Sequence, residues 1–393
     1  MRVLLVYNDY KQRGGEAVAF ENERDLLLAK GHAVRTYMRS NDETDSMGQL
    51  AVATRMIWSQ QDYRAIRTAI REHNADIVHV HNFFLMISPA VYYAAAAEHV
   101  PVVQTMHNYR LLCPSATFFR DGKVCEDCMG KFAPYPGVVH ACYRDNRKIS
   151  GAVAAMLTTH RMLGTWNRYV TRYIALTPFT RDKYIEGGLP AERVVIKPNF
   201  LSEDPGYQYE PQDYALFVGR LSHEKGVATL MDAWKQDDPG LSLKIAGDGP
   251  LMDELRTKAE GTRVEFLGSQ PRENVYKLMK HARMLLFPSI WYECLPYTIL
   301  EAFAIGTPIV VSKIGSIGTM IRHNDTGLHA EPGDPASWSR TIRDIQGDSA
   351  GLQRISRSAR TEFEQTYATE ASYQRMIEIY EDALGKRTVT ATR

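Results

Sequence analysis

What the chain lacks narrows its function first. No apolar run in its 393 residues approaches the roughly 18 that a transmembrane helix needs, so no such helix is expected. Charge of one sign is not in excess, since the formal net charge is +1 at pH 7. That balance argues against generic coating of nucleic acid and leaves only local basic faces. The N-terminal stretch from Met1 to Tyr7 runs at once into a strand. It lacks the long apolar region and small-residue cleavage site of a signal peptide, so the expected compartment is the cytoplasm. Cysteines number only five. A cytoplasmic chain keeps them reduced, so disulfides are not expected. The dinucleotide fingerprint G-x-G-x-x-G is absent too. In its place, the loop after the first strand carries the bare pair Gly14-Gly15.

What is present reads as two α/β domains. Hydrophobic residues make up 44% of the chain and charged residues 24%, so each half can bury a core. A strand over Arg2–Tyr7, a helix from Glu16 through Leu28 and a strand from His32 form a βαβ unit. Further strands are expected at Asp76–His81, Val100–Thr105, Tyr173–Thr177 and Val194–Ile196. Leu201–Asp213 is rich in Pro, Gly, Asp, Glu and Tyr and reads as a linker. The alternation restarts at Tyr214–Gly219 and continues through Leu241–Ala246, Val264–Gly268 and Met284–Phe287. Two doubly wound, Rossmann-like parallel sheets follow. The domains are drawn at 1–205, with a cysteine-containing insertion at 111–147, and at 206–372. A last helix and tail occupy 373–393, the tail after Lys386 being expected as disordered.

Ligands of such sheets bind beyond the carboxyl ends of the strands. His81 and His107 both stand at strand ends, where a histidine is as often a structural hydrogen-bonder as a ligand contact. Arg220 and Lys225 lie past the end of the first strand of the second half. Two cations there can neutralise a diphosphate, Arg through its planar fork and Lys as a point charge. Surface cations are usually just solvated, and here position favours the functional reading. The stretch Phe287–Pro308 is a strand end, a turn with Glu293, a helix opened by Pro296 as its first residue, and a stop at Gly306. Glu301 falls one to two turns inside that helix. Carboxylates accept hydrogen bonds from sugar hydroxyls, although two solvated glutamates are the plain alternative.

The run from Glu293 to Pro308 resembles the Glu–seven–Glu motif of retaining glycosyltransferases of family 4, with Cys294 and Pro296 where glycines are common. Val218-Gly-Arg-Leu-Ser-His-Glu-Lys-Gly226 resembles a second signature of that family. With Gly247–Pro250 and the region Asp325–Asp334, the resemblance covers almost all of the second domain and extends loosely to the first. It departs at Gly315–Thr319, where the family tends to read G-G-x-P-E. The resemblance implies a GT-B architecture with the active site in the interdomain cleft. It implies hexosyl transfer from a UDP- or GDP-sugar with retention and with no catalytic cofactor or metal. Arg220 and Lys225 would hold the diphosphate, Glu293 the donor sugar and Glu301 the ribose. Leu295 would contact the donor at the helix entrance, His107 would stand beside the sugar, and Gly14-Gly15 would face the diphosphate. The implied acceptor is a glycan or a polyprenyl-linked one, in cell-envelope or exopolysaccharide assembly. An epimerase or another enzyme of the same fold is the alternative. A hydrolase using Glu293 and Glu301 is disfavoured, because such pairs must face each other at about 5 to 9.5 Å.

Two stretches stand outside these motifs. Cys113, Cys125, Cys128 and Cys142 are separated by 11, 2 and 13 residues. They read either as a structural zinc site or as four unlinked buried thiols. Arg144–Arg172 reads as one amphipathic helix with a cationic face. It is either an ordinary core helix or a surface that rests on anionic lipid at the inner face of the cytoplasmic membrane.

Overall fold

The computed structural model describes residues 1–385, and the tail after Lys386 lies outside the described residues. The chain forms two compact units. The first comprises the chain to Phe118, Cys125–Asn199 and the chain from Ser372 onward; the second comprises Phe119–Val124 and Phe200–Ala371.

The first unit is built on β1 (Arg2–Asp9), β2 (Ala33–Ser40), β3 (Ile77–Val80) and β4 (Val102–Met106). The chain then makes a short antiparallel hairpin that belongs to the second unit, β5 (Phe119–Arg120) and β6 (Lys123–Val124), which sequence patterning missed. The sheet resumes with β7 (Arg172–Ala175) and β8 (Val194–Ile196). The six long strands are parallel in the order β2-β1-β3-β4-β7-β8. The inner strands are fully buried runs such as Val3–Val6, as a sheet covered on both faces requires. The helix Gly15–Ala29 turns Phe20, Glu23, Leu26 and Leu27 inward, so its buried stripe carries one carboxylate.

The last helix, Thr369–Ala383, packs on this unit. Met376, Ile379 and Tyr380 are buried, and Tyr380 bonds His79 of β3. Arg375 Nε donates to the Ile196 carbonyl, and Asp382 pairs with Arg172. The chain end therefore clamps the sheet that the chain start began.

The second unit carries β9 (Tyr214–Val218), β10 (Ser242–Ala246), β11 (Val264–Gly268), β12 (Met284–Phe287), β13 (Ile309–Ser312) and β14 (Leu328–Ala330). All are parallel in the order β11-β10-β9-β12-β13-β14. Its core includes Leu230, Trp234, Leu243, Ile245, Trp338 and Ile355. In each sheet the strand order reverses once, between β1 and β3 and between β9 and β12. Such switch points open a crevice at the carboxyl ends of the strands, and ligands bind there.

Two local expectations need correction. The segment Arg144–Arg172 is not one helix. It forms Arg147–Met162 and Thr165–Arg168, broken at Gly164 with φ +65°. Pro296 is the cap before the helix Tyr297–Ile305 rather than its first residue. Gly306 does end that helix, in the left-handed region at φ +87°.

Candidate active site

In the second unit the loops after β9 and β12 flank the switch point. The loop after β9 carries Arg220 and continues into a single 3-10 turn, His223–Lys225. Gly226 ends the turn at φ +67°, and a Cβ there would fall 2.0 Å from the Pro288 carbonyl oxygen. Only glycine lets the Lys225 turn press so closely on the loop after β12. A second close approach sets the Arg220 loop. A Cβ on Gly247 would fall 1.8 Å from the Gly219 oxygen. The two loops exchange backbone bonds there, Gly219 N–H to Ala246 O and Leu221 N–H to Asp248 O. Glycines thus fix the path of both strand-end loops before any side chain acts.

This geometry joins two residues that the motifs name separately. Lys225 Nζ donates to Glu293 Oε1 at 2.6 Å, and Ser289 Oγ donates to the same oxygen at 2.7 Å. Lys225 also lies 5.8 and 5.6 Å from the Phe287 and Trp291 ring centroids. Glu293 is buried and Lys225 half-buried. Arg220 is exposed in the loop after β9. Leu295 is buried just before the helix Tyr297–Ile305. Glu301 sits on that helix with Arg272 Nε and the Tyr276 hydroxyl each 3.5 Å from Oε1. Burial pushes its carboxyl up to about 6, with Arg272 partly opposing.

In the first unit Gly14 caps, and Gly15 opens, the helix that follows β1; both are exposed. His81 ends the β3 run and His107 follows β4. Sequence reasoning weighed these two against each other, whereas the structure links them. His81 Nδ1 lies 3.0 Å from His107 Nε2, with the rings stacked at 5.3 Å. Burial, reinforced by His81, holds His107 well below the usual histidine range, so it is a neutral imidazole at neutral pH. Beside it, Asn108 Nδ2 donates to Glu16 Oε2 at 3.1 Å. Burial pushes Glu16 up to about 8 despite the Asn108 bond and the Arg110 charge. Near neutral pH Glu16 is therefore largely a carboxylic acid, able to donate as well as accept.

Comparison with known proteins agrees with the fold. Residues 204–362 match the family "Glycosyl transferases group 1" and residues 14–199 match "Glycosyl transferase 4-like domain". The chain is a GT-B glycosyltransferase. It is 36% identical over 152 residues to glycogen synthase of Mycobacterium tuberculosis, covering 37% of this chain and 36% of the relative. It is 31% identical over 159 residues to the D-rhamnosyltransferase WbpZ of Pseudomonas aeruginosa, covering 39% of this chain and 41% of the relative. The alignments thus span well under half the length of these curated relatives. Anabaena HepE in complex with UDP shares the fold, with a TM-score of 0.68 at 18% identity over 96% of this chain and 99% of that one.

Zinc in the cysteine insertion of this glycosyltransferase is not supported. All five cysteines are thiols. Among the described residues the one group of three or more donors placed to share a metal ion is Glu23, His79 and His81. Cys113 Sγ is instead 3.1 Å from Ser115 Oγ, and Cys128 Sγ donates to the Pro134 carbonyl. Burial, then the neighbouring Cys113, pushes the Cys128 thiol up to about 12. Cys142 and Cys125 also lie near enough to raise that thiol, but the tight set of four thiolates that a closed zinc site needs is not among the groups placed to share an ion.

Sequence reading missed three residues of the first unit. Glu23, Lys197 and His79 form a buried polar group behind His81. Lys197 Nζ donates to Glu23 Oε1 at 2.5 Å, and His79 bonds Tyr380 and Thr105 at 2.7 Å each. Burial pushes Glu23 up, but Lys197, then His81 and His79, outweigh it and hold the carboxylate well below its usual range. One signal was available, because Glu23 interrupts the apolar stripe Phe20, Leu26, Leu27 at helical spacing. The same unit of the glycosyltransferase also holds a cavity of about 490 Å³. Met47, Leu50, Met56 and Leu85 line it, together with the exposed Arg144 and Lys148. Leu85 belongs to the loop after β3, so the cavity opens on the strand-end side of the sheet.

Proposed function

We propose that the protein is a retaining, family 4 hexosyltransferase that uses a UDP- or GDP-sugar and needs no catalytic metal. One observation carries the reading. Lys225, Glu293 and the helix bearing Glu301 assemble at the switch point of the second sheet, with Arg220 on the adjoining loop. The HepE complex, which holds UDP in the same fold, supports a nucleotide donor. The diphosphate is met by Arg220, Lys225 and the N–H groups at the start of the helix Tyr297–Ile305. Glu293 takes the sugar and Glu301 the ribose; in the first unit, His107 and the Gly14-Gly15 loop are the strand-end groups that would meet substrate. Bond breaking leaves an oxocarbenium-like sugar and an anionic leaving group, so fixed positive charge on that leaving group is the main lever. The leaving phosphate takes the acceptor proton. A panel of sugar nucleotides tests the reading: one donor should release nucleoside diphosphate and give a product with the donor's anomeric configuration. Release from none of them, or an inverted product, would refute it.

The acceptor is a glycan or a polyprenyl-linked one, in envelope or exopolysaccharide assembly. Its place is the cavity beside the β3 loop, where apolar walls and two cations suit a phosphorylated amphiphile. Working at the inner face of the cytoplasmic membrane brings the enzyme to such acceptors. No helix among the described residues is long and apolar enough to cross a membrane. Met162 and Leu163 are exposed at 69% and 46%, while Trp166 is buried. Arg161 is not a lipid-facing cation, because its guanidinium donates to the carbonyls of Lys131, Phe132 and Leu111. Exposed cations near anionic lipid contribute roughly 1 kcal/mol each, so attachment should be reversible and salt-sensitive. Co-sedimentation with anionic vesicles is expected at low salt and should fall in Met162→Asp/Leu163→Asp. Equal binding by both proteins would dismiss this face.

A further inference from the structure

We propose that Glu23, backed by Lys197 and acting through His81, sets the orientation and the tautomer of His107. The inference rests on His107 meeting the sugar substrate, and it adds the residues that aim it. The chain of contacts is continuous. Lys197 Nζ bonds Glu23 Oε1 at 2.5 Å. Glu23 Oε2 lies 3.3 Å from His81 Nε2, and among the described residues neither atom has a hydrogen bond elsewhere. His81 Nδ1 then meets His107 Nε2 at 3.0 Å. Lys197 and Glu23 are each 1% exposed and His81 is 2% exposed, whereas His107 is only half-buried. The network therefore starts in the core and ends at the strand-end face. The His81 ring is held edge-on to Phe20 and stacked on His107.

Proton positions follow from charge. Glu23, ionised beside Lys197, can only accept. His81 Nε2 must carry its proton toward that carboxylate, because two acceptors 3.3 Å apart would repel. His81 Nδ1 then accepts from His107 Nε2–H. His107 is left with its Nδ1 lone pair, an acceptor suited to a sugar hydroxyl. Which nitrogen of a histidine is protonated is set by what its other nitrogen bonds. A buried ion pair is seldom retained for stability alone, since packed apolar residues serve as well or better. An aiming role explains why this one leads to a strand-end histidine.

A metal is the competing occupant. Glu23, His79 and His81 offer donors within 4.8 Å of one another, a two-histidine, one-carboxylate set. Lys197 argues against it, because an ammonium already lies against the carboxylate. His79 also has both nitrogens bonded to hydroxyls, those of Tyr380 and Thr105.

The test uses the full chain with ¹⁵N-labelled histidine. In the wild type, His107 should show the neutral, Nε2-protonated signature. In Glu23→Gln the amide can donate as well as accept, so the His107 signature should become mixed. Turnover should fall about ten- to a hundred-fold, the range found for partners that orient metal-bound histidines, with little change in KM for the donor. In a His107→Ala background, Glu23→Gln should cost almost nothing more. Equal losses in both backgrounds, an Nδ1-protonated or doubly protonated His107, or stoichiometric zinc binding abolished by Glu23→Gln would each overturn the relay. The wild-type signature decides the tautomer even where Glu23→Gln does not fold. A protein with the expected signature but no sugar-nucleotide turnover would refute the transferase reading and leave the relay standing.

Discussion

Replacing Lys225 with alanine should lower turnover by about two to four powers of ten, or roughly 3 to 5 kcal/mol of transition-state stabilisation. Arg220→Ala should fall in the same range. Both side chains lie on the loop after β9, beside the crevice where the second sheet reverses its strand order. A leaving nucleoside diphosphate gains negative charge as the glycosidic bond breaks, and a positioned cation acts on that gain. The Lys225–Glu293 pair adds a complication that motif reading could not foresee. Removing Lys225 strips a buried carboxylate of its ammonium and leaves it only the Ser289 hydroxyl. Lys225 keeps 22% side-chain exposure. The cost to stability should therefore be roughly 1 to 3 kcal/mol, below that of breaking a fully buried pair. The double replacement Lys225→Ala/Glu293→Gln separates the effects, since it removes the orphaned charge and should recover the melting temperature without recovering turnover. Normal turnover in a folded Lys225→Ala protein would end the diphosphate assignment.

Much of the fold was legible because parallel strands buried on both faces read as short apolar runs bounded by glycines. The strand order was not legible, and it is the order seen in the structure that places the switch points and explains why Lys225 and Glu293 meet although 68 residues separate them. Other features were hidden because tertiary contacts reassign residues that look solvated. Arg161 reads as one more cation on a helix face, yet it bonds three carbonyls of the cysteine insertion and its neighbours. Lys197 reads as a strand-end lysine, yet it is 1% exposed against Glu23. Spacing alone could not decide the cysteines, because sulfurs that are close along the chain converge only if the loop between them folds that way. The last helix was legible from its periodicity, but not that it would lie on the first sheet and bond His79 through Tyr380.

Glu301 should make nucleotide affinity and protein stability respond to pH in opposite directions. Burial raises its carboxyl to about 6, above the ordinary value of about 4.3 that it would have in the unfolded chain. The folded state therefore holds more protons between about pH 4.3 and 6, and this group's contribution to stability falls as pH rises through that window. By pH 7 the ionised carboxylate costs the empty protein up to about 2 kcal/mol. Ribose hydroxyls reverse the balance, because a carboxylate can accept from two of them and its protonated form offers one acceptor fewer. Nucleotide affinity should thus rise between pH 5 and pH 7, beyond any change due to the phosphate's own titration. Glu301→Gln isolates the effect. It should melt higher than the wild type at pH 7 to 8, lose that advantage near pH 5, and bind nucleoside diphosphate more weakly at pH 7. Glu293→Gln should behave differently, since removing that charge frees Lys225 from its partner. Bare nucleoside diphosphate should bind it as well as or better than the wild type, while turnover of the intact donor drops. Titration calorimetry of both variants at pH 5 and 7, set beside their melting curves, reads all of these outcomes. A wild-type affinity that tracks Glu301→Gln at both pH values would remove the ribose role. Equal loss of bare nucleotide binding in the two variants would show that the carboxylates do not divide sugar and ribose between them.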